Sequence, residues 1–214
     1  MVAPQVPVAR EGYPFIGFAA FATVVAALVG HELLAWGGVA VTGFVLFFFR
    51  DPERVGPEAV DALVAPADGQ VIAIDQLYDE RYLGDHAYRV SIFMNLFSVH
   101  VNRIPFAGRV TGVRYRPGAF LAADAGRAAL ANESCATLLA TAGGRQLAVV
   151  QIAGLVARRI VCWCRKGDQV ERGQRFGLIR FGSRVDLYLP LQTQLAVEVG
   201  QQVRAGETLL GHLS

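Results

Sequence analysis

Two uncharged apolar runs near the N-terminus constrain this chain more than any other feature. Pro14 to Gly30 and Ala35 to Phe49 contain no Asp, Glu, Lys or Arg, and only His31-Glu32-Leu33-Leu34 separates them. Each run is slightly shorter than the ~20 residues with which a helix crosses a bilayer. So close a pair predicts a helical hairpin that either spans a membrane or enters it as a shallow anchor. The alternative is a buried hairpin in a soluble domain, which needs a large core to cover two helices that are apolar all round. Trp36 and the Phe47-Phe48-Phe49 cluster suit a membrane interface. Arg10 on one flank, with Arg50 and Arg54 on the other, predicts both ends on the cytoplasmic side of the cell membrane. A cleavable signal peptide fits poorly, because the apolar stretch is doubled and follows a Pro-rich segment with Arg10 as its one basic residue. Residues 1–54 are therefore assigned to an anchoring hairpin, with Arg50-Asp51-Pro52-Glu53-Arg54 as its exit.

Residues 55–214 read differently. Short apolar runs alternate with glycine turns, the pattern of a mainly β domain, so the chain as a whole falls in a mainly β (α+β) class. Candidate strands are Gly69 to Ile74, Tyr88 to Met94, Gly108 to Tyr115, Gln146 to Ile152 and Arg159 to Trp163. Ala119 to Ala131 is alanine-rich and predicts a helix, weakened by Gly126. No Gly-x-Gly-x-x-Gly or P-loop pattern supports a nucleotide fold. Near the end, Gly167-Asp168-Gln169-Val170-Glu171-Arg172-Gly173-Gln174 is echoed by Gly200-Gln201-Gln202-Val203-Arg204-Ala205-Gly206-Glu207. Each copy places glycines around one valine, which predicts a tight strand-turn unit. These half-motifs resemble those of biotinyl and lipoyl carrier domains, so a barrel- or sandwich-hybrid-like C-terminal region is expected. A carrier presents its lysine at a hairpin tip, whereas Lys166 lies just before the first copy; the repeat is read as shared architecture.

Charge narrows the function. The formal net charge is +2, and acidic residues are scattered among the basic ones. That is not the electrostatic footprint of a nucleic-acid binder. The chain has a single lysine, Lys166, so a decarboxylase built on a lysine-bound pyridoxal cofactor has only one candidate residue. Three cysteines, Cys135, Cys162 and Cys164, are too few for a disulfide framework. Cys162-Trp163-Cys164 alternates like a strand, which puts both thiols on one face, and no histidine stands nearby to complete a metal tetrad. Buried thiols are expected, and no metal.

Phe181-Gly182-Ser183-Arg184 lies between two β-like apolar runs close to the C-terminus. Gly-Ser is a common turn pair. Three other segments change its weight: Ala65-Pro66-Ala67-Asp68-Gly69, Ser98-Val99-His100-Val101-Asn102-Arg103-Ile104-Pro105, and Asn132-Glu133. With the apolar N-terminus, these stand in the order found in phosphatidylserine decarboxylase proenzymes, and the chain resembles the short bacterial and archaeal branch of that family over nearly its whole length.

The resemblance implies self-cleavage between Gly182 and Ser183, with Ser183 converted to a pyruvoyl group, a covalent cofactor made from the chain itself. Ser183 Oγ would attack the Gly182 carbonyl, and a serine needs a neighbouring base to do so. His100 exchanges protons near neutral pH and is the candidate base, with Asp68 expected to orient it. Glycine at 182 leaves the attacked carbonyl unobstructed. The serine headgroup amine of phosphatidylserine would then form a Schiff base with the new ketone and lose CO2, and His100 would return a proton to give phosphatidylethanolamine. Arg103 is a candidate for the lipid phosphate, since guanidinium recognises phosphate through its planar fork. Arg184, Asn132 and Glu133 are further candidates for substrate contact.

Two positions depart from longer members of the family. Their His-x-x-His pattern is represented here by His100 and Arg103, so either one histidine serves both steps or cleavage uses another base. Their common Gly-Ser-Thr has become Gly-Ser-Arg. The self-cleaved chains are expected to stay associated, and homo-oligomerisation is left open. The same chemistry on an ether-linked phosphoserine lipid, and a non-enzymatic membrane adaptor on a carrier-like barrel, are the rival readings.

Overall fold

The structure, a computed structural model, describes residues 7–121, 131–154, 159–180 and 183–213. It divides into two compact units, Met1–Glu53 and Arg54–Ser214.

In the first unit a 3-10 turn (Arg10–Gly12) leads into α1 (Tyr13–Leu28), which is followed by α2 (Glu32–Phe48). Pro14 occupies the first turn of α1, where a missing N–H leaves no helical bond unmade. Gly30, at φ +81°, ends α1 in a Schellman arrangement. Its N–H donates to the Ala27 carbonyl at 3.1 Å, and the His31 N–H donates to Ala26 at 2.9 Å. This reversal lets α1 and α2 pack closely. Thr23 and Thr42 hydroxyls lie 3.3 Å apart, and a Cβ added at Gly38 would fall 2.4 Å from Thr23 Oγ1. Small residues at such a contact are how apolar helices approach without a hydrophobic drive between them. The two ends of the unit are tied by Ala9 N–H to Phe49 O and Asp51 N–H to Pro7 O, both 2.8 Å. Apolar side chains still point outward: Phe18 is 75 % exposed, Trp36 74 % and Leu33 86 %. The helical stretch Arg10–Leu28 is long and apolar enough to cross a membrane, and Glu32–Phe48 is a shorter apolar helix.

Among the described residues the second unit holds fourteen strands: β1 (Ala62–Val64), β2 (Gly69–Asp79), β3 (Asp85–Met94), β4 (Val101–Arg103), β5 (Gly108–Arg116), β6 (Ser134–Ala140), β7 (Gln146–Ile152), β8 (Ile160–Cys162), β9 (Gln169–Val170), β10 (Arg175–Ile179), β11 (Ser183–Pro190), β12 (Gln194–Leu195), β13 (Gln202–Val203) and β14 (Leu209–His212). An eight-stranded sheet runs β13-β2-β3-β11-β7-β6-β5-β9, and two three-stranded sheets run β4-β10-β8 and β1-β14-β12. All pairings within them are antiparallel. The mainly β class is thus correct, and the five expected strands all form. β2 runs on past Ile74 to Asp79 because its polar outer half pairs with the start of β3. The helix expected over Ala119 to Ala131 falls, at residues 122–130, outside the described residues; Ala119 itself makes a bridge to Asn132.

The glycine repeat has a structural counterpart. Its valines, Val170 and Val203, are buried in the two-residue strands β9 and β13, which form the two edges of the large sheet. Gly167 and Gly200, and likewise Gly173 and Gly206, take positive φ at matching positions. Very short edge strands limit edge-to-edge association.

Both faces of the large sheet are covered, and strand alternation assigns each residue to one of them. On β11, Val185, Leu187 and Leu189 join Val90, Ile92, Met94 and Val149 in the main core. Tyr188 faces the other way, with Ala136, Leu138, Val150 and Ile152, under Tyr82 and Leu83. By the same parity Ser183 belongs to the main-core face and Arg184 to the opposite one.

Candidate active site

Antiparallel register lines up three of the four motifs along one end of the large sheet. Gln70, Phe93, Arg184, Ile152 and Ser134 are successive partners across β2, β3, β11, β7 and β6. Beside this row stand Asp68-Gly69, Ser183 and Asn132-Glu133. Gly69 is required there: its φ is +153°, and a Cβ would lie 2.0 Å from the Phe93 carbonyl.

Ser183 is fully buried at the start of β11, opposite Met94. Its Oγ donates to the Met94 Sδ at 3.4 Å. The Asn102 Nδ2 approaches the same sulfur at 3.6 Å, and Asn102 Oδ1 accepts from Gln151 Nε2 at 2.9 Å. Asn102 and Gln151 are both fully buried. A polar chain from Gln151 through Asn102 and Met94 therefore ends on the Ser183 hydroxyl. Gln151 Oε1 has no hydrogen-bond partner among the described residues. A buried carbonyl left without a donor is costly, so this oxygen marks a place for an N–H or O–H group. The sequence reading missed Gln151 and Met94. A polar residue in the otherwise apolar run Leu147 to Ile152 was the available signal.

His100 is 3 % exposed and directly precedes β4. Its carbonyl accepts from Ile179 N–H at 3.3 Å, which holds it beside the end of β10, the strand leading through residues 180–182 into Ser183. Asn102, two residues on, belongs to the chain that reaches Ser183. Gly182, the other half of the expected cleavage site, lies outside the described residues, as does Phe181. Asp68 lines a cleft of about 420 Å³ together with Asn95, Phe97, Ser98 and Arg204. This cleft adjoins the residues following Met94 and preceding His100.

The other expected site residues have these partners. Asp68 is held by Arg54 Nη2 at 2.9 Å and by the Ala205 N–H at 2.7 Å. Arg54 also reaches Glu207 Oε2 at 2.9 Å, so Asp68 anchors the start of the second unit to the second glycine repeat. Arg103 alternates away from Asn102. Its Nη1 donates to the Gly173 carbonyl at 3.0 Å, and a Cβ on Gly206 would meet its Cδ at 2.9 Å. It braces the paired repeat turns instead of facing the Ser183 side. Asn132 is fully buried and acts as a bracket: it donates to the Leu121 and Ala153 carbonyls, both at 2.8 Å, and accepts from Leu121 N–H at 3.0 Å. Those bonds use its carboxamide for the fold. The main chain of Glu133 pairs with Ala119 and Ala153.

Arg184 departs furthest from expectation. Its side chain is 3 % exposed on the face opposite Ser183, forked onto the Asp186 carboxylate, with Nη2 donating to Oδ2 at 3.0 Å and to Ser91 Oγ at 2.8 Å. It forms a buried ion pair on that face. The surroundings are dry: burial, with the Asp186 charge second, pushes the Tyr188 phenol up to about 12. Asp186→Ala should leave the guanidinium buried without its partner and cost about 3–5 kcal/mol in chemical unfolding. The double change Arg184→Met with Asp186→Leu should recover much of that loss. A single Arg184→Met that keeps full stability but raises KM would restore the substrate-contact role.

Comparison with known proteins gives the family. The family model of phosphatidylserine decarboxylase matches residues 41–211. A phosphatidylserine decarboxylase proenzyme from Desulfotalea psychrophila is 54 % identical over 213 residues, covering 100 % of both chains. Proenzymes of the same name from Geotalea uraniireducens and Burkholderia multivorans are 50 % and 45 % identical, covering 97 % and 98 % of each chain. The chain belongs to the phosphatidylserine decarboxylase family.

Proposed function

We propose that this chain is a membrane-associated proenzyme that cleaves itself between Gly182 and Ser183 and then converts phosphatidylserine to phosphatidylethanolamine and CO2. The observation that carries the reading is the placement of a fully buried serine at the head of the central strand β11, beside the strand end next to His100. Ser183 Oγ attacks the preceding carbonyl and turns that amide into an ester. Elimination and hydrolysis then free the new N-terminus as a pyruvoyl group. His100 takes the serine proton in the first step and returns one to the product carbon in the second. Asp68 supports the fold around the cleft through Arg54 and Ala205, and the Gln151–Asn102–Met94 chain sets the orientation of the serine.

The interior suits a ketone there. Ser183 is fully buried, Gln151 Oε1 has no hydrogen-bond partner among the described residues, and the sole lysine, Lys166, lies exposed in a turn. The pyruvoyl group supplies an electron sink for the electron pair left as CO2 departs. Gln151 Oε1 offers the headgroup amine an acceptor, and burial strengthens every such contact.

Topology favours lasting association of the two cleaved chains. β11 is hydrogen-bonded to β3 on one side and β7 on the other, β13 pairs with β2, and β14 pairs with β1. Cutting before Ser183 leaves each of those ladders intact. The outward-facing apolar hairpin fits attachment to the cell membrane, and the flanking Arg10, Arg50 and Arg54 favour the cytoplasmic side.

Intact-mass spectrometry of the purified protein tests the reading. Two chains are expected, the smaller starting at residue 183 with a blocked terminus that reacts with a hydrazine probe. An uncut chain, or one modified on Lys166, overturns it.

A further inference from the structure

All three cysteines of the chain, separated in sequence, meet at one place in the catalytic unit. Cys135 lies on β6 and is 4 % exposed; Cys162 ends β8, Cys164 follows, and both are partly exposed. The Cys162 thiol lies 3.6 Å from Thr137 Oγ1 and 4.0 Å from the Cys164 carbonyl oxygen. Thr137 is two residues from Cys135 on the same face of β6. None of these groups has a part in the proposed decarboxylation, and among the described residues they do not form a metal-binding group.

We propose that Cys162 and Cys135 are a reversible thiol–disulfide pair, with Cys162 as the attacking thiol and Cys135 as the resolving one, oxidised by a small-molecule disulfide. Exposure sets the order, because the partly exposed Cys162 meets the oxidant whereas Cys135 is buried beside it. Cys164 is the poorer resolving partner. Residues two apart on an extended chain stand roughly 6–7 Å apart at Cα, with side chains side by side, at the upper limit of disulfide geometry. Cys135 instead faces Cys162 from a different sheet.

The electrostatics agree with this order. Hydrogen bonds from Cys135, Cys164 and Thr137 hold the Cys162 thiol below its ordinary range, whereas Cys135 and Cys164, sharing their protons with it, are pushed up. The thiolate is the nucleophile in disulfide exchange. The Cys162 thiolate attacks one sulfur of the oxidant, forming a mixed disulfide and expelling one thiolate. Cys135 then loses its proton and attacks the Cys162 sulfur, expelling the second. Two protein thiols are oxidised and one small disulfide is reduced to two thiols. The resulting bond joins the large sheet, which begins β11 at Ser183, to the β4-β10-β8 sheet, which carries the strand after His100.

The test uses the full-length protein in detergent, equilibrated with graded ratios of oxidised to reduced glutathione, trapped by alkylation and mapped without reduction. The expected product is a Cys135–Cys162 linked peptide, lacking two hydrogens and lost again in excess reduced glutathione. Cys164→Ala should retain the link, Cys162→Ala should abolish it, and Cys135→Ala should accumulate glutathione on Cys162. Circular dichroism checks that each variant is folded, and wild-type mapping decides the matter if one is not. A Cys162–Cys164 link, first modification at Cys135 or Cys164, or reaction only after denaturation would overturn the proposal.

Discussion

Ser183→Ala is expected to give a single full-length chain with no decarboxylase activity. Both losses have one cause. Without Oγ there is no nucleophile for the preceding carbonyl, and without cleavage no ketone forms to hold the substrate amine. The variant should still fold, because among the described residues Ser183 Oγ hydrogen-bonds only to the weak acceptor Met94 Sδ, and an alanine leaves no strongly polar group of these newly buried without a partner. Alanine also keeps the extended backbone that pairs with Met94. Gel electrophoresis reads the outcome directly. A normally cleaved Ser183→Ala chain would remove the serine from the mechanism and with it the self-made cofactor.

His100→Ala carries the second large effect. If His100 is the base for Ser183, uncleaved proenzyme should accumulate, with self-cleavage slowed by ~10²–10⁴-fold, the usual contribution of positioned proton transfer. The position of His100 beside the end of β10 favours this outcome over a defect in turnover alone. Time-resolved gels of freshly synthesised protein measure cleavage, and CO2 release from the cleaved fraction measures turnover. Cleavage and decarboxylation both at normal rates would exclude His100 from the chemistry. Asp68→Asn makes a useful contrast: its partners are Arg54 and Ala205, so it should weaken the fold around the cleft.

Much of this was legible in the sequence, and the reasons are local. An uncharged run longer than a dozen residues has few structural solutions, so the hairpin followed from composition alone. The paired glycine repeats followed from backbone freedom, since Gly173 and Gly206 adopt the positive φ their turns demand. Gln146 to Ile152 was bounded to the residue because an apolar run between turn signals reads as a strand. Even the face of Arg184 was written in Ser183-Arg184-Val185-Asp186-Leu187-Tyr188-Leu189, where polar and apolar residues alternate and set Arg184 with Asp186.

What the sequence alone determined, then, was the hairpin, the strands, the order of the motifs and the serine at the head of a strand. Each depends on neighbours along the chain. Tertiary structure decided who meets whom. Asp68 meets Arg54 and Ala205 because the start of β2 lies against the second repeat; Asn132 closes on Leu121 and Ala153; Gln151 meets Asn102 across 49 residues of sequence; and the cysteines converge from β6 and β8. Antiparallel register between distant strands fixes these partners, and register is set by the whole hydrophobic pattern of the sheet, which no single motif contains.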